Sequence, residues 1–325
     1  MSLLLVSPCL RAQSPIPPAP MPPPPPGATP SGQQDDHSQR IRVSVDLVVL
    51  HASVTDEKGL FVPGLKQENF RVFEDKVEQK ISAFSSEDAP VTVGLVIDNS
   101  GSMREKREQV NAAALAFVKA SNPQDETFVV NFNDEYYLDL NEDFTNDTRE
   151  LNEALSRIDS RGSTALFDAI IGSLDHLKKG HKDKKILLVV TDGDDDASRK
   201  SFAYTVQAAQ QSDATIYAIG VFSDEDRKRQ KKMVRNSKKQ LTTLADATGG
   251  VAYFPENLEQ VQAICTQVAH DIRNQYTLGY YPTNTAKDGS FRAVQVQLLP
   301  PKGRAGKLSI RTRTGYYAPK ASRGD

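Results

Sequence analysis

Long apolar runs are missing from the body of this sequence. Beyond its first residues no 18 apolar side chains stand in a row, so the body contains no membrane-spanning helix. Cysteine is scarce: Cys9 and Cys265 are too few for a disulfide framework, and cysteine spacing says little about the fold. Charge of one sign is absent too. The formal net charge is −2, which excludes the broad basic surface that nucleic-acid binding requires. His51, His176, His181 and His270 are scattered, and none stands with a serine or cysteine in a catalytic order. The stretch Asn99-Ser100-Gly101 lacks the first glycine of a nucleophile elbow, which leaves a hydrolase as the weaker alternative. The longer "DNSGSMREK" has neither the glycine spacing of a dinucleotide loop nor the lysine of a phosphate loop. The expectation is a protein that binds and does not catalyse.

What is present divides the chain. With 38% hydrophobic and 25% charged residues, 325 residues can bury the cores of two domains. Residues 1–13 hold a short apolar run followed by Ala12-Gln13, read as a remnant signal segment and hence as export. Residues 14–40, "SPIPPAPMPPPPPGATPSGQQDD" and its continuation, are proline-rich and poor in apolar side chains. They cannot bury enough surface to offset their ordering entropy, so they are expected to be a disordered, extended linker.

From Ile41 the pattern becomes that of half-buried strands. "IRVSVDLVV" alternates Ile41, Val43, Val45, Leu47 and Val49 against polar residues, and "FRVFEDKVEQKISAF" predicts a hairpin turning near Glu74-Asp75-Lys76. "FRAVQVQLL" repeats the alternation with Val294, Val296 and Leu298 on one face. "KLSIRTRTGYY" reads as one more strand, with Leu308, Ile310, Thr312 and Thr314 aligned. Neither end has enough strands for a stable sheet alone, so 41–88 and 274–318 are expected to pack as one small β-rich domain, followed by a disordered tail at 319–325.

The middle, 89–273, alternates strands and helices. "VTVGLVI", "ETFVVNF", "KKILLVV" and "ATIYAIGVF" are apolar runs suited to strands buried on both faces. Helical patterns at "REQVNAAALAFVKA", "ALFDAIIGSLDHLKK" and "SFAYTVQAAQQS" separate them, and a last helix is read over 257–273. The fold class is therefore α/β: a doubly wound, mostly parallel sheet with helices on both faces, plus the β-rich domain of the flanks. "YYLDL" follows "VVNFN" closely enough to add an antiparallel edge strand.

In such a sheet, ligands bind beyond the carboxyl ends of the strands. Asp98 ends the first strand, Ser100 and Ser102 follow at two-residue intervals, Thr164 precedes a helix, and Asp192 ends "LLVVTD". Two carboxylates and three hydroxyls without nearby histidine or cysteine suit a hard cation, Mg²⁺ or alternatively Mn²⁺ or Ca²⁺, and do not suit zinc. The bland reading of the same serines is a helix cap.

These residues resemble the metal-ion-dependent adhesion site (MIDAS) of von Willebrand factor type A (VWA) domains, which have a Rossmann-like fold. Asp98, Ser100, Ser102, Thr164 and Asp192 take its five places, over 91–272 of the chain. The resemblance implies a cation left electrophilic by its neutral hydroxyl ligands. An Asp or Glu of a partner protein then completes the coordination, as in cell adhesion. The flanks, with "VTDEKGLFVPGLKQENFRVFEDKVEQKI", "QYTLGYYP" and "TRTGYYAP", resemble exported, periplasmic or cell-surface bacterial proteins carrying a VWA-related domain. A cytosolic scaffold of a metal-inserting ATPase complex carries the same site; the linker and β-rich flanks argue against it.

Two charged stretches invite plainer readings. Asp194 to Asp196 are expected to form a solvated loop favouring the start of the following helix. The basic block "EDRKRQKKMVRNSKK" is expected to be a solvated or partly disordered insertion before a helix at 239–247.

Overall fold

The computed structural model describes residues 47–86, 88–157, 160–299, 301 and 306–321. The expected signal segment, the linker, the strand start at 41–46 and the end of the tail at 322–325 lie outside the described residues.

In chain order the first flank contributes β1 (Val48–Thr55), β2 (Phe70–Glu74), β3 (Val77–Gln79) and β4 (Ile81–Ser85). The middle follows with β5 (Val91–Asp98), α1 (Arg107–Ala120), β6 (Glu126–Phe132), β7 (Tyr136–Leu138), α2 (Thr148–Ser156), α3 (Leu166–Leu177) and β8 (Lys184–Thr191). It continues through α4 (Phe202–Gln211), β9 (Ala214–Gly220), α5 (Asp224–Arg229), α6 (Lys231–Thr248), β10 (Ala252–Tyr253) and α7 (Glu259–Arg273). The second flank adds β11 (Tyr276–Tyr280), β12 (Phe291–Leu298), β13 (Ser309–Arg311) and β14 (Gly315–Tyr317).

The middle forms one six-stranded sheet in the order β10-β9-β8-β5-β6-β7. Every pairing is parallel except that of β6 with β7, the expected antiparallel edge. All eight residues of β5 are buried, because helices cover both faces. Leu95 and Ile97 point into a core shared with α1, α2 and α7, while Val96 points into the core under α3, α4 and α6. The sheet closes tightly over Gly94. A Cβ there would stand 2.5 Å from Phe128 Cζ and 2.6 Å from Leu187 Cδ2, so any larger residue must displace those buried side chains. Chain order reverses around β5, which has β6 on one side and β8 on the other. The crevice beyond its carboxyl end is thus the place where this class of sheet binds ligands.

The two ends of the chain interleave. β13-β1-β11-β4 make one antiparallel sheet and β14-β12-β2-β3 another, each drawing strands from both flanks. Leu50, Val54 and Leu278 from the first sheet and Val72, Val294 and Val296 from the second share one core. The β2–β3 hairpin turns at Asp75 and Lys76, with φ 48° and 71°, the left-handed pair that a two-residue turn demands. Glu74 is buried at the centre, accepting from Tyr280 and Tyr316 hydroxyls at 2.8 Å each and from Arg292 Nη1 at 3.2 Å.

Two expectations need correction, and one helix was not expected. "KLSIRTRTGYY" is not one strand: β13 pairs with β1 and β14 with β12, so the chain crosses between sheets at residues 312–314. The basic block is helical. α5 and α6 run through it, and α6 buries Val234, Ser237, Leu241 and Leu244 along one stripe while its lysines face outward. Finally, α2 has no counterpart in the sequence reading; its buried face is only Leu151, Ala154 and Leu155.

Candidate metal centre

β5 delivers Asp98 to the sheet's upper edge fully buried. Its Oδ1 accepts from the Ser100 backbone N–H at 2.8 Å and its Oδ2 from the Thr191 hydroxyl at 2.6 Å. Burial, with Asp192 close by, pushes the Asp98 carboxyl up to about 6. A buried carboxylate facing another carboxylate is short of positive charge, and that shortage is what a cation relieves.

The loop after Asp98 is fixed by its neighbours. Asn99 N–H donates to Phe132 O at 2.7 Å, its side-chain amide donates to Asn131 Oδ1 at 2.7 Å, and Gly101 N–H donates to Gly162 O at 3.1 Å. These bonds tie the loop to β6 and to the 160–164 segment, which presents Thr164. Ser100 and Ser102 Oγ atoms lie 3.1 Å apart, so the two hydroxyls address one spot. Thr164 is nearly buried, and among the described residues its hydroxyl has no hydrogen-bond partner.

Asp192 follows β8. Its Oδ2 accepts from Lys106 Nζ at 2.9 Å, and the same ammonium stands 3.7 Å from Asp226 Oδ2. Lys106, which stands at this candidate site, was not singled out in the sequence reading. Its only signal was a cation four positions after Ser102, at the start of α1. Thr191, which holds Asp98, was missed as well.

The acidic loop is not a free, solvated one. Asp195 Oδ2 accepts from the Phe167 N–H at 2.9 Å and Asp196 Oδ1 from the Thr164 N–H at 2.7 Å, so these acids satisfy the start of α3. The helix that follows the loop is capped by Ser201 instead. In return the Thr164 carbonyl accepts from the Asp196 and Ala197 N–H groups. Thr164 is therefore locked to the loop that begins at Asp192.

The structure thus joins Asp98, Ser100 and Ser102 by direct hydrogen bonds, sets Asp192 beside them through Thr191, and ties Thr164 in by its backbone. Among the described residues no group of three or more His, Cys, Asp or Glu is placed to hold a metal. The five residues are a different donor set, two carboxylates and three hydroxyls. Its all-oxygen chemistry fits a hard divalent ion.

Residues 93–194 match the von Willebrand factor type A domain, and all five residues fall inside that stretch. That stretch of the α/β body is a VWA-fold domain. No curated protein sequence gives a significant match. Among solved structures, a VWA protein from Catenulispora acidiphila is 13% identical with a TM-score of 0.49, covering 86% of this chain and 75% of its own. BatB from Bacteroides thetaiotaomicron is 17% identical with a TM-score of 0.46, covering 56% of this chain and 98% of its own. Proximal thread matrix protein 1 from the mussel byssus, with a zinc-occupied MIDAS motif, is 14% identical with a TM-score of 0.48, covering 60% and 48%. Among the described residues no helix is long and apolar enough to cross a membrane.

Proposed function

We propose that this chain is an exported, metal-dependent protein-binding module. Asp98, Ser100, Ser102, Thr164 and Asp192 would hold Mg²⁺, or Mn²⁺ or Ca²⁺ in its place, and an Asp or Glu of a partner protein would complete the coordination. The observation that carries this reading is the state of Asp98: buried, pressed by Asp192, and held by the neutral donors of Ser100, backbone and hydroxyl, and by Thr191 Oγ1.

The division of charge suits such a role. Lys106 neutralises much of Asp192, while Asp98 has no cation of its own within ion-pair distance among the described residues. The bound ion would supply an electrophile for an incoming carboxylate. The chain's own contribution is to hold the hydroxyls in place, to keep Asp98 dehydrated, and to limit the negative charge at the site so that an acidic partner is not repelled. Export rests on the apolar segment at 1–13 and the proline-rich stretch behind it. Calorimetric titration of the full chain with Mg²⁺, Mn²⁺, Ca²⁺ and Zn²⁺ tests the metal; pull-down from a cell envelope with and without chelator tests the acidic partner. Retention of the same partners in chelator would contradict the metal-dependent contact.

A further inference from the structure

At the opposite end of the sheet, beneath the amino ends of β5 and β8, a cavity of about 970 Å³ opens between the α/β body and the two flanking sheets. It lies about 23 Å from Asp98, the length of β5 at roughly 3.3 Å per residue. Its lining carries Lys182, Lys184, Lys185, Lys287, Arg292 and Arg313 against Asp183 and Asp213, an excess of positive charge.

Lys184 and Lys185 are satisfied as donors with no carboxylate within ion-pair distance among the described residues. Lys184 Nζ donates to Ile272 O. Lys185 Nζ donates to Leu177 O and Gly180 O at 2.9 Å each, and Arg313 Nη2 to Gln210 O at 2.7 Å and Ser212 O at 3.1 Å. Carbonyl oxygens accept a hydrogen bond but bring no formal charge. Arg292 and Arg313 have carboxylate partners: buried Glu74 for Arg292, and for Arg313 the Asp213 carboxylate, 3.4 Å away and 87% exposed, where water screens it. His51 lines the same wall, its Nδ1 3.3 Å from Thr277 Oγ1.

We infer that this cavity is a second binding site, for a small organic polyanion whose phosphate or carboxylate groups balance Lys184, Lys185 and Arg313 at its base and meet Lys182 at its rim. The electrostatics agree. Burial and then the charges of Lys184 and Arg313 hold His51 down at about 3, and burial lowers Lys184 to about 8. The charges of Asp88 and Asp125 offset part of the burial of Lys184, and an anionic ligand in the cavity would offset more. Leu47, Val49 and Tyr317 add apolar surface to the same wall, which suits an organic anion better than a bare inorganic one. The inference is independent of the metal centre.

The test uses the full chain in EDTA, so that the metal centre is silent. Pyrophosphate and citrate, standing for the phosphate and carboxylate sources, are titrated in parallel by calorimetry. At least one is expected to bind with a submillimolar Kd, and the rim variant Lys182→Glu, which spares the buried base, is expected to weaken it about tenfold. Binding of pyrophosphate alone assigns phosphate and binding of citrate alone assigns carboxylate; either supports the site. Failure of both at millimolar excess, or binding that Lys182→Glu does not weaken, overturns it.

Discussion

Lys106 donates its ε-ammonium to Asp192 at 2.9 Å in a nearly water-free setting, with both side chains under a tenth exposed. An internal cation thus sits on one of the two carboxylates proposed to face a metal. The two positive charges compete for the same carboxylate, and Asp226, 3.7 Å from the ammonium, offers Lys106 a second berth. Lys106→Met is therefore expected to bind Mg²⁺ about tenfold more tightly, equivalent to about 1.4 kcal/mol. It should also melt lower than the parent in EDTA, having left buried acids unpaired, and recover when Mg²⁺ is added. Weaker Mg²⁺ binding by the variant would mean that Lys106 orients Asp192 for the metal instead of competing with it.

Protons compete for the site as well. With Asp98 pushed up to about 6, the metal must displace a proton below that pH. Mg²⁺ affinity is expected to be steady above pH 7 and to drop as pH falls through 6. The sign for stability is opposite. A raised carboxyl favours the metal-free fold below the unfolded value near 4 and loses that contribution as pH rises through 6, so Mg²⁺ should stabilise most at neutral pH. Titrations at three pH values check both.

His51 predicts a separate acid limb. Its folded value of about 3 lies below the unfolded 6.5, so its contribution is complete above pH 6.5 and is lost as pH falls from there towards 3. His51→Gln should flatten the melting temperature between pH 4 and 6.5 relative to the parent, read in EDTA by thermal denaturation.

The buried Glu74–Arg292 pair, with two tyrosine hydroxyls on Glu74, holds β2, β11, β12 and β14 together. Arg292→Met leaves that carboxylate without its cation and is expected to cost about 3–5 kcal/mol in denaturant unfolding. Joint replacement of Glu74 and Arg292 by apolar residues should cost less than the single change.

Much of this architecture was legible in the sequence because the sheet is buried on both faces. Runs such as "VTVGLVI" and "KKILLVV" admit few other readings, and a strand ending in Asp98 with hydroxyls two and four residues on stands out against them. The first half of α6, before the helix read at 239–247, escaped notice because its inward stripe there is partly made of Ser237, which is buried and bonded to Met233 O, instead of a large apolar side chain. The role of Asp195 and Asp196 in satisfying α3 was hidden for another reason: they lie about 30 residues from the groups they serve, a distance that only the fold closes. The same holds for Lys106 and Asp192, 86 residues apart.

Chain continuity carries a prediction about folding. The middle leaves β4 and returns to β11 at a neck where Arg273 Nε meets Asp88 Oδ2 at 2.8 Å. A fragment of residues 89–273 is expected to melt cooperatively, while 41–88 alone should not, because β1 and β2 pair with β11 and β12. A cooperative melt of 41–88 by itself would contradict that dependence.

The central claim, a divalent ion held at the end of β5, is tested most directly by calorimetric Mg²⁺ titration of the full chain beside Ser100→Ala and Thr164→Ala, with folding of each verified by its melting curve. Both changes remove a single hydroxyl and leave the carboxylates in place. The account predicts one-site binding by the parent and a loss of about tenfold or more in each variant. Folded variants that bind Mg²⁺ as the parent does, or a parent that binds none, would contradict it.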